Sequence, residues 1–205
     1  MSIEELHVKN VYDQIANEFS HTRYRPWSCV EKFMDDIPSN SIIGDIGCGN
    51  GKNMVYRNDC LNYGCDFSNK LVNICIDKSL NVIYGDILNI PFSDNMFDYT
   101  ICIAVIHHLS TIEKRKKAIS ELLRVTKSGG KILILVWALE QPTTSRRQFK
   151  TQENYIDFCD KSKNVLGKRY YHVFKKGELE DLMHPNINII ETFYELGNYG
   201  IIIEK

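Results

Sequence analysis

Short apolar runs rich in β-branched residues recur at Ile42–Ile46, Leu61–Cys65, Val82–Tyr84, Tyr99–Val105, Lys131–Trp137, Asn188–Phe193 and Tyr199–Ile203. Each is too short for a helix, so each predicts a strand. Between them lie helical stretches: Ser68 can cap a helix through Ser79, and Ser110 with Glu113 offers a capping-box start to one running to about Lys127. Strands alternate with helices, and two consecutive strands close the chain. That order predicts an α/β fold, a doubly wound, seven-stranded and mostly parallel sheet with helices on both faces and an antiparallel edge hairpin. The stretch 139–168 is polar, includes Pro142-Thr143-Thr144-Ser145-Arg146-Arg147, and reads as a loop.

Composition narrows the class without naming a partner. At 205 residues the chain suits a single domain, 1–205, with an N-terminal helical lid over 1–38 and a polar substrate-binding insertion over 139–176. Its 25 basic and 26 acidic residues nearly cancel, so any affinity for a polyanion must come from local charge. Seven cysteines, odd in number and never spaced Cys-x-x-Cys, suggest neither a disulfide framework nor a metal cage, and no metal site is expected. A reducing setting fits, cytoplasmic first and nuclear second. No apolar run approaches the roughly 20 residues a membrane helix needs, and the charged N-terminus is unlike a signal sequence.

Open α/β sheets bind ligands at the carboxyl ends of their strands, where the strand order reverses. The turn after the first strand reads Asp45-Ile46-Gly47-Cys48-Gly49-Asn50-Gly51, and its glycines let backbone pass close beneath a ligand. A dinucleotide fingerprint would need glycine at position 52, which is Lys52, and Asp45 would repel a pyrophosphate. A cationic nucleoside suits the turn better. S-adenosyl-L-methionine carries a sulfonium and an amino group and no phosphate. Asp66, ending the second strand, stands about 20 residues after Asp45, the spacing at which a carboxylate reaches ribose hydroxyls. Asp86, with Ile87 beside it, ends the third strand, where an acceptor can bind the adenine amino group. Asp98 opens the fourth strand and reads as structural.

This pattern, with Lys127-Ser128-Gly129-Gly130-Lys131 leading into a fifth strand, resembles the class I S-adenosylmethionine-dependent methyltransferases from about Ile42 to Trp137. The fourth strand ends in Ala104-Val105-Ile106-His107-His108-Leu109, with none of the Asn/Asp-Pro-Pro-aromatic or Pro-Cys signals of amide-nitrogen and cytosine-carbon enzymes. His107 and His108 are adjacent, so they point different ways and lack a metal pair's helical spacing.

A narrower resemblance covers nearly the whole chain. Val11-Tyr12-Asp13-Gln14-Ile15-Ala16, Phe19-Ser20, Thr22-Arg23-Tyr24-Arg25-Pro26-Trp27, Val136-Trp137-Ala138, Arg169-Tyr170-Tyr171-His172-Val173-Phe174 and Gly177-Glu178-Leu179 resemble the eukaryotic tRNA wobble-uridine carboxymethyl methyltransferases. That resemblance implies methyl transfer to the carboxylate of 5-carboxymethyluridine in the tRNA anticodon loop, with a small zinc-binding activator subunit as partner. The segment between Trp137 and Arg169 is shorter than in many relatives, which leaves its RNA contacts open.

A carboxylic acid of pKa about 4 is already ionised at neutral pH and needs no general base, so positioning should dominate catalysis. Arg23 and Arg169 are the candidates to hold the carboxylate or its nucleotide, His107 to donate a hydrogen bond, and Trp137 and Tyr170 to stack on a base. Residues 140–176 supply local positive charge through Arg146, Arg147, Lys150, Lys161, Lys163, Lys168, Arg169, Lys175 and Lys176, with aromatics interleaved. The third strand, Asn81-Val82-Ile83-Tyr84, is an uncharged sheet edge onto which an activator could add a strand. Two other readings share the same cofactor half: a methyltransferase for a small lipid- or quinone-like acceptor, and a non-catalytic RNA-binding subunit.

Overall fold

The computed structural model describes residues 1–160 and 162–205, so Lys161 of the basic stretch lies outside the described residues. A π-helical turn (Glu5–Lys9) runs into α1 (Asn10–His21), and α2 (Ser28–Asp35) precedes the first strand. Then come β1 (Ile42–Ile46), β2 (Leu61–Asp66), α3 (Asn69–Asp77), β3 (Val82–Tyr84) and β4 (Phe97–Ile103). A 3-10 turn (Ile106–His108) leads to α4 (Ile112–Val125) and β5 (Thr126–Trp137). Next are β6 (Glu153–Cys159), β7 (Val165–His172), the short α5 (Glu178–Asp181), β8 (Asn188–Glu195) and β9 (Asn198–Glu204).

Seven strands form one sheet in the order β3-β2-β1-β4-β5-β9-β8. β1 pairs parallel with β2 and β4, β5 pairs parallel with β4, and β9 returns antiparallel between β5 and β8. All seven predicted strands are present, and the order reverses between β1 and β4, where a ligand site was expected. The central strands are apolar on both faces because helices cover both. Ala118, Ile119, Leu122 and Val125 of α4 pack with Phe97, Cys102 and Ile134 on one side, and Val30, Phe33 and Met34 of α2 pack with Ile43, Ile101 and Leu133 on the other. Asp98 is structural, as expected: it accepts from the Ile42 amide (2.8 Å) and the Lys127 ammonium (2.7 Å).

Two local expectations need correcting. Ser68 does cap α3, accepting from the Leu71 amide, but Thr111 rather than Ser110 caps α4. The Ser110 hydroxyl and amide are both taken by the Glu4 carboxylate (2.7 and 2.9 Å), which also holds the Lys114 ammonium (2.6 Å) and so fastens the N-terminal segment to the start of α4. The stretch 139–168 is not simply a loop. It contains β6, and with β7 it forms a separate antiparallel hairpin closed through Asp160 and Asn164. β6 alternates exposed and half-buried residues because one face is wet, and that alternation among polar side chains hides it from an apolar-run search.

Between the hairpin and α5, His172 is bracketed by two carboxylates: its Nδ1 lies 2.5 Å from Glu153 and its Nε2 2.6 Å from Glu178. The Gln152 amide also donates to Glu178, and the Tyr170 hydroxyl to Glu153. Buried polar groups stripped of partners cost about 1–3 kcal/mol each. His172→Ala is therefore expected to accelerate amide hydrogen exchange across β6 and β7 while β1, β4 and β5 keep their protection; uniform protection throughout would show that the bracket does not hold the hairpin.

Candidate functional site

At the carboxyl ends of the parallel strands a cavity of about 460 Å³ opens beneath the N-terminal helical segment and β7. Its floor is the glycine turn, and Gly47 and Gly49 both line it. Gly47 is left-handed (φ +79°), and a Cβ there would stand 2.3 Å from a Val105 methyl, so no other residue fits beneath the turn that follows β4. Gly51 serves differently. It does not line the cavity, and a Cβ there would strike Leu80 at 2.3 Å, so it lets the turn pack on the α3–β3 connection.

The acids of the first three strands gather at this end, each in its own environment. Asp66 lines the cavity and accepts from the Gly49 amide (2.8 Å) and the Ser68 amide (2.9 Å). Asp86 and Ile87 line it further along, with Asp86 accepting from the Leu88 amide at 2.9 Å. Asp45 lies behind the turn and is not a lining residue: one carboxylate oxygen receives the Asn53 amide (3.3 Å), and the other is buried without a partner. Burial raises the Asp45 carboxyl to about 7 and that of Asp66 to about 6. An orphaned carboxylate behind a Cβ-poor cradle is what a cationic ligand would complete.

The opposite end of the cavity is basic. Arg23 follows α1, placed there by the Asn50 side chain, which donates to the Ser20 and Arg23 carbonyls (3.2 and 3.0 Å). Arg169 enters from β7, 6% exposed, with its Nε buried and unpartnered. Among the described residues neither guanidinium, nor that of Arg147, forms an ion pair with a carboxylate. The rings of Phe158, Tyr171 and Tyr12 surround Arg169 instead, 5.1, 5.3 and 5.8 Å from its charged carbon.

Between the two ends stand the histidines, and their hydrogen bonds separate their roles. His108 donates from Nδ1 to the Tyr170 carbonyl (2.7 Å), so its Nε2 accepts from the Tyr12 hydroxyl (3.1 Å), which in turn receives Arg169 (3.4 Å). His107 accepts the Trp137 amide at Nδ1 (3.0 Å), which puts its own proton on Nε2. Among the described residues that nitrogen bonds to no other side chain, the Ala104 carbonyl lies near the ring, and His107 lines the cavity. Burial, with His108 and the arginines nearby, holds the His107 pKa well below the ordinary value, so it stays neutral and keeps that donor.

Both stacking candidates change role. Trp137 lines the cavity, but Tyr171 stacks on one face (4.1 Å, 4°) and the Arg147 guanidinium sits 4.1 Å over the ring, which requires the other face. Only its edge reaches the cavity. Tyr170 turns away, its hydroxyl on Glu153 and its ring against Tyr155. Side chains alternate along β7, so Arg169 and Tyr171 face inward together. Tyr12, Asn50 and Tyr171 join the site without having been singled out for it. The motif strings contain Tyr12 and Tyr171, and strand alternation from Arg169 would have selected Tyr171. Among the described residues no cluster of three or more His, Cys, Asp or Glu is placed to hold a metal, and no helix is long and apolar enough to cross a membrane.

A methyltransferase-domain family profile matches residues 44–134. The chain is 40% identical to the tRNA (carboxymethyluridine(34)-5-O)-methyltransferase of Schizosaccharomyces pombe over 98% of its own length and 97% of that protein. It is 50% identical to the Arabidopsis thaliana protein of the same name over 70% of this chain, which spans only 35% of that longer relative. In structure it is similar to an S-adenosylmethionine-dependent methyltransferase from Methanosarcina mazei (TM-score 0.69, 15% identity, 88% and 98% of the two chains). A putative methyltransferase bound to the Trm112 methyltransferase activator of Haloferax volcanii is also similar (TM-score 0.65, 14% identity, 96% of each chain). At such identities the structural likeness shows the class I methyltransferase fold.

The buried acids impose a pH dependence on the ligand-free protein. Because Asp45 titrates near 7 when folded and near 4 when unfolded, the native state binds the extra proton, and stability falls as pH rises through that interval. Asp45→Asn should therefore be more stable than the parent chain by roughly 2–4 kcal/mol at pH 8 and indistinguishable from it near pH 4. Urea denaturation at the two pH values measures this; a gap of equal size at both would assign the effect to packing.

Proposed function

The chain belongs to the tRNA (carboxymethyluridine(34)-5-O)-methyltransferase family, and from that premise we propose that it transfers a methyl group from S-adenosyl-L-methionine to the carboxylate of 5-carboxymethyluridine at the tRNA wobble position, giving the methyl ester. The observation that carries this reading is the polarity of one cavity: carboxylates at the strand ends, arginines without acid partners at the mouth, and a neutral imidazole N–H between them. A cationic donor is favoured at one end and an anionic acceptor at the other.

In this reading Asp66 takes the ribose hydroxyls of the cofactor, and Asp86 with Ile87 takes its adenine. Gly47 and Gly49 admit its backbone-like tail, and Asp45 acts from behind the turn through its field. The cofactor supplies an electrophilic methyl group on a positively charged sulfur. Arg169 holds the acceptor carboxylate through paired N–H donors, an arrangement suited to its planar fork, and Arg23 closes over it from the lid. His107 donates from Nε2 to one carboxylate oxygen, orienting the other toward the methyl group. No side chain removes a proton, because the attacking oxygen carries none at neutral pH. A small, neutral lipid-like acceptor would leave the guanidiniums uncompensated, and a non-catalytic subunit has no use for the cofactor end.

A partner also follows. β3 is a sheet edge on which Ile83 and Tyr84 are both 44% exposed, and an activator subunit adding a strand there would cover them. The likeness to an activator-bound methyltransferase fold supports this. All seven cysteines are free, which agrees with work in the cytoplasm or nucleus.

Arg169→Ala and Arg23→Ala should each lower methyl transfer to carboxymethyluridine-bearing tRNA by at least about 100-fold, equivalent to roughly 3 kcal/mol. S-adenosylmethionine binding, measured by calorimetry, should change less than threefold; parallel loss of both in a folded variant would reject the assigned roles. Co-expression with a zinc-binding activator should raise soluble yield and cofactor affinity, and Ile83→Glu should cancel the gain. An isolated chain as active and soluble as the pair would count against the partner.

A further inference from the structure

Among the described residues five Lys and Arg side chains line the main cavity, and four of them already have a task. Lys9 pairs with Asp13 (3.8 Å) and Lys114 with Glu4 (2.6 Å), while Arg23 and Arg169 serve the acceptor in the function proposed above. The fifth is Lys52, the residue that departs from the dinucleotide fingerprint. Among the described residues it forms no ion pair, and its ammonium rests 5.2 Å from the centre of the Trp27 ring. Its neighbour Asn53 is 3% exposed and lines the same cavity. The Asn53 Nδ2 donates to Asp45 (3.3 Å), and its Oδ1 is buried without a partner. We propose that Lys52 and Asn53 read the amino-acid end of the cofactor, Lys52 taking the α-carboxylate and Asn53 Oδ1 the α-ammonium, and so select intact S-adenosyl-L-methionine over its decarboxylated form. The inference rests on the cofactor of the proposed function and deepens it.

The cofactor carries two positive groups and one negative. Asp45, Asp66 and Asp86 at the strand ends favour the sulfonium and the ammonium and repel the carboxylate. A cation is therefore required close to the glycine turn, where the proposed function seats the tail, and Lys52 directly follows the last glycine of that turn. Burial first and the Arg23 charge second lower the pKa of its ammonium, against the attraction of Asp45. A carboxylate arriving beside it offsets both. Asn53 supplies the complementary half. Its amide hydrogens face Asp45, so Oδ1 points away from that carboxylate as a bare acceptor, which suits an ammonium and not a second anion.

The residues on either side fix this pair in place. Gly51 packs on Leu80, and Met54, 3% exposed, is buried among Cys48, Val72, Cys75 and Val82. The Met54 amide donates to the Gly51 carbonyl and the Tyr56 amide to that of Asn53, both at 3.1 Å, closing two successive turns across the pair. Trp27, the residue before α2, holds the Lys52 ammonium without neutralising it, which leaves N–H donors for an anion. The decarboxylated cofactor carries the same sulfonium methyl group and the same adenosine. A site that read only those parts would accept it, so discrimination must come from groups at the amino-acid end.

The test uses the full chain with its activator supplied and calorimetry with three ligands: S-adenosyl-L-methionine, its decarboxylated analogue and its deaminated analogue. The parent chain should bind the intact cofactor about thirtyfold more tightly than the decarboxylated one, the effect of one charge-assisted contact in a partly buried site. Lys52→Met should erase that preference by weakening the intact cofactor while the decarboxylated one binds as well as before or better; Lys52→Arg should recover most of it. Asn53→Leu should narrow the gap between the intact and deaminated cofactors and keep the preference for the carboxylate. Equal weakening of all three ligands in Lys52→Met would overturn the inference, as would a preference that Arg23→Ala abolishes and Lys52→Met retains. Should a variant fail to fold, the parent chain still decides, since equal affinity for the intact and decarboxylated cofactors, or uptake of none of the three, excludes the subsite. These ratios need no RNA, so a chain that shows them and transfers no methyl group to carboxymethyluridine-bearing tRNA rejects the proposed function and leaves the subsite standing.

Discussion

Arg169 is buried, charged and surrounded by rings rather than carboxylates. Burying a charge without a counter-ion costs several kcal/mol, and cation–π contacts with Tyr12, Phe158 and Tyr171 return about 0.5–2 kcal/mol each. An acid nearby would stabilise the fold more and would occupy the position an anionic acceptor needs. The same restraint applies at the far end, where Asp45 keeps one oxygen unpartnered. Opposite charges that would neutralise each other on contact are held at two ends of one cavity by the sheet and the hairpin, and the function proposed for the site depends on that separation.

The two ends are supplied by different parts of the chain, which must therefore be locked together. The hydroxyl of Tyr12, on the lid, joins His108 after β4 to Arg169 on β7. Asp13, one residue on, accepts the Ser68 hydroxyl at 2.6 Å, so the residue that caps α3 also holds the lid to the cofactor half. Asn50 completes the connection from the glycine turn. Lid, glycine turn and hairpin are thus registered by side chains that carry out no chemistry.

Much of this was legible in the sequence. Strands buried on both faces announce themselves as unbroken apolar runs, which is why the sequence places β1 and β4 to within a few residues. The acid-and-glycine spacing marked the cofactor end because a nucleoside imposes its own dimensions on the chain. What escaped depends on which way a side chain turns in three dimensions. Tyr170 and Tyr171 are chemically equivalent as a string, and only the strand's pleat assigns the second to the cavity. β6 escaped because Ile156 and Phe158 on its covered face are separated by Asp157 on the wet one, so the strand shows no continuous apolar run. Ser110 looked like a cap until a carboxylate from 106 positions earlier in the chain claimed its hydroxyl.

The absence of an acid beside Arg169 also bears on how a catalytic cycle would end. Esterification removes the one feature of the acceptor that a guanidinium grips, because a methyl ester carries no charge. The arginine that anchors the reactant therefore has little hold on what is made, and turnover is drawn forward by discharge of the bound group rather than by any movement the fold must supply.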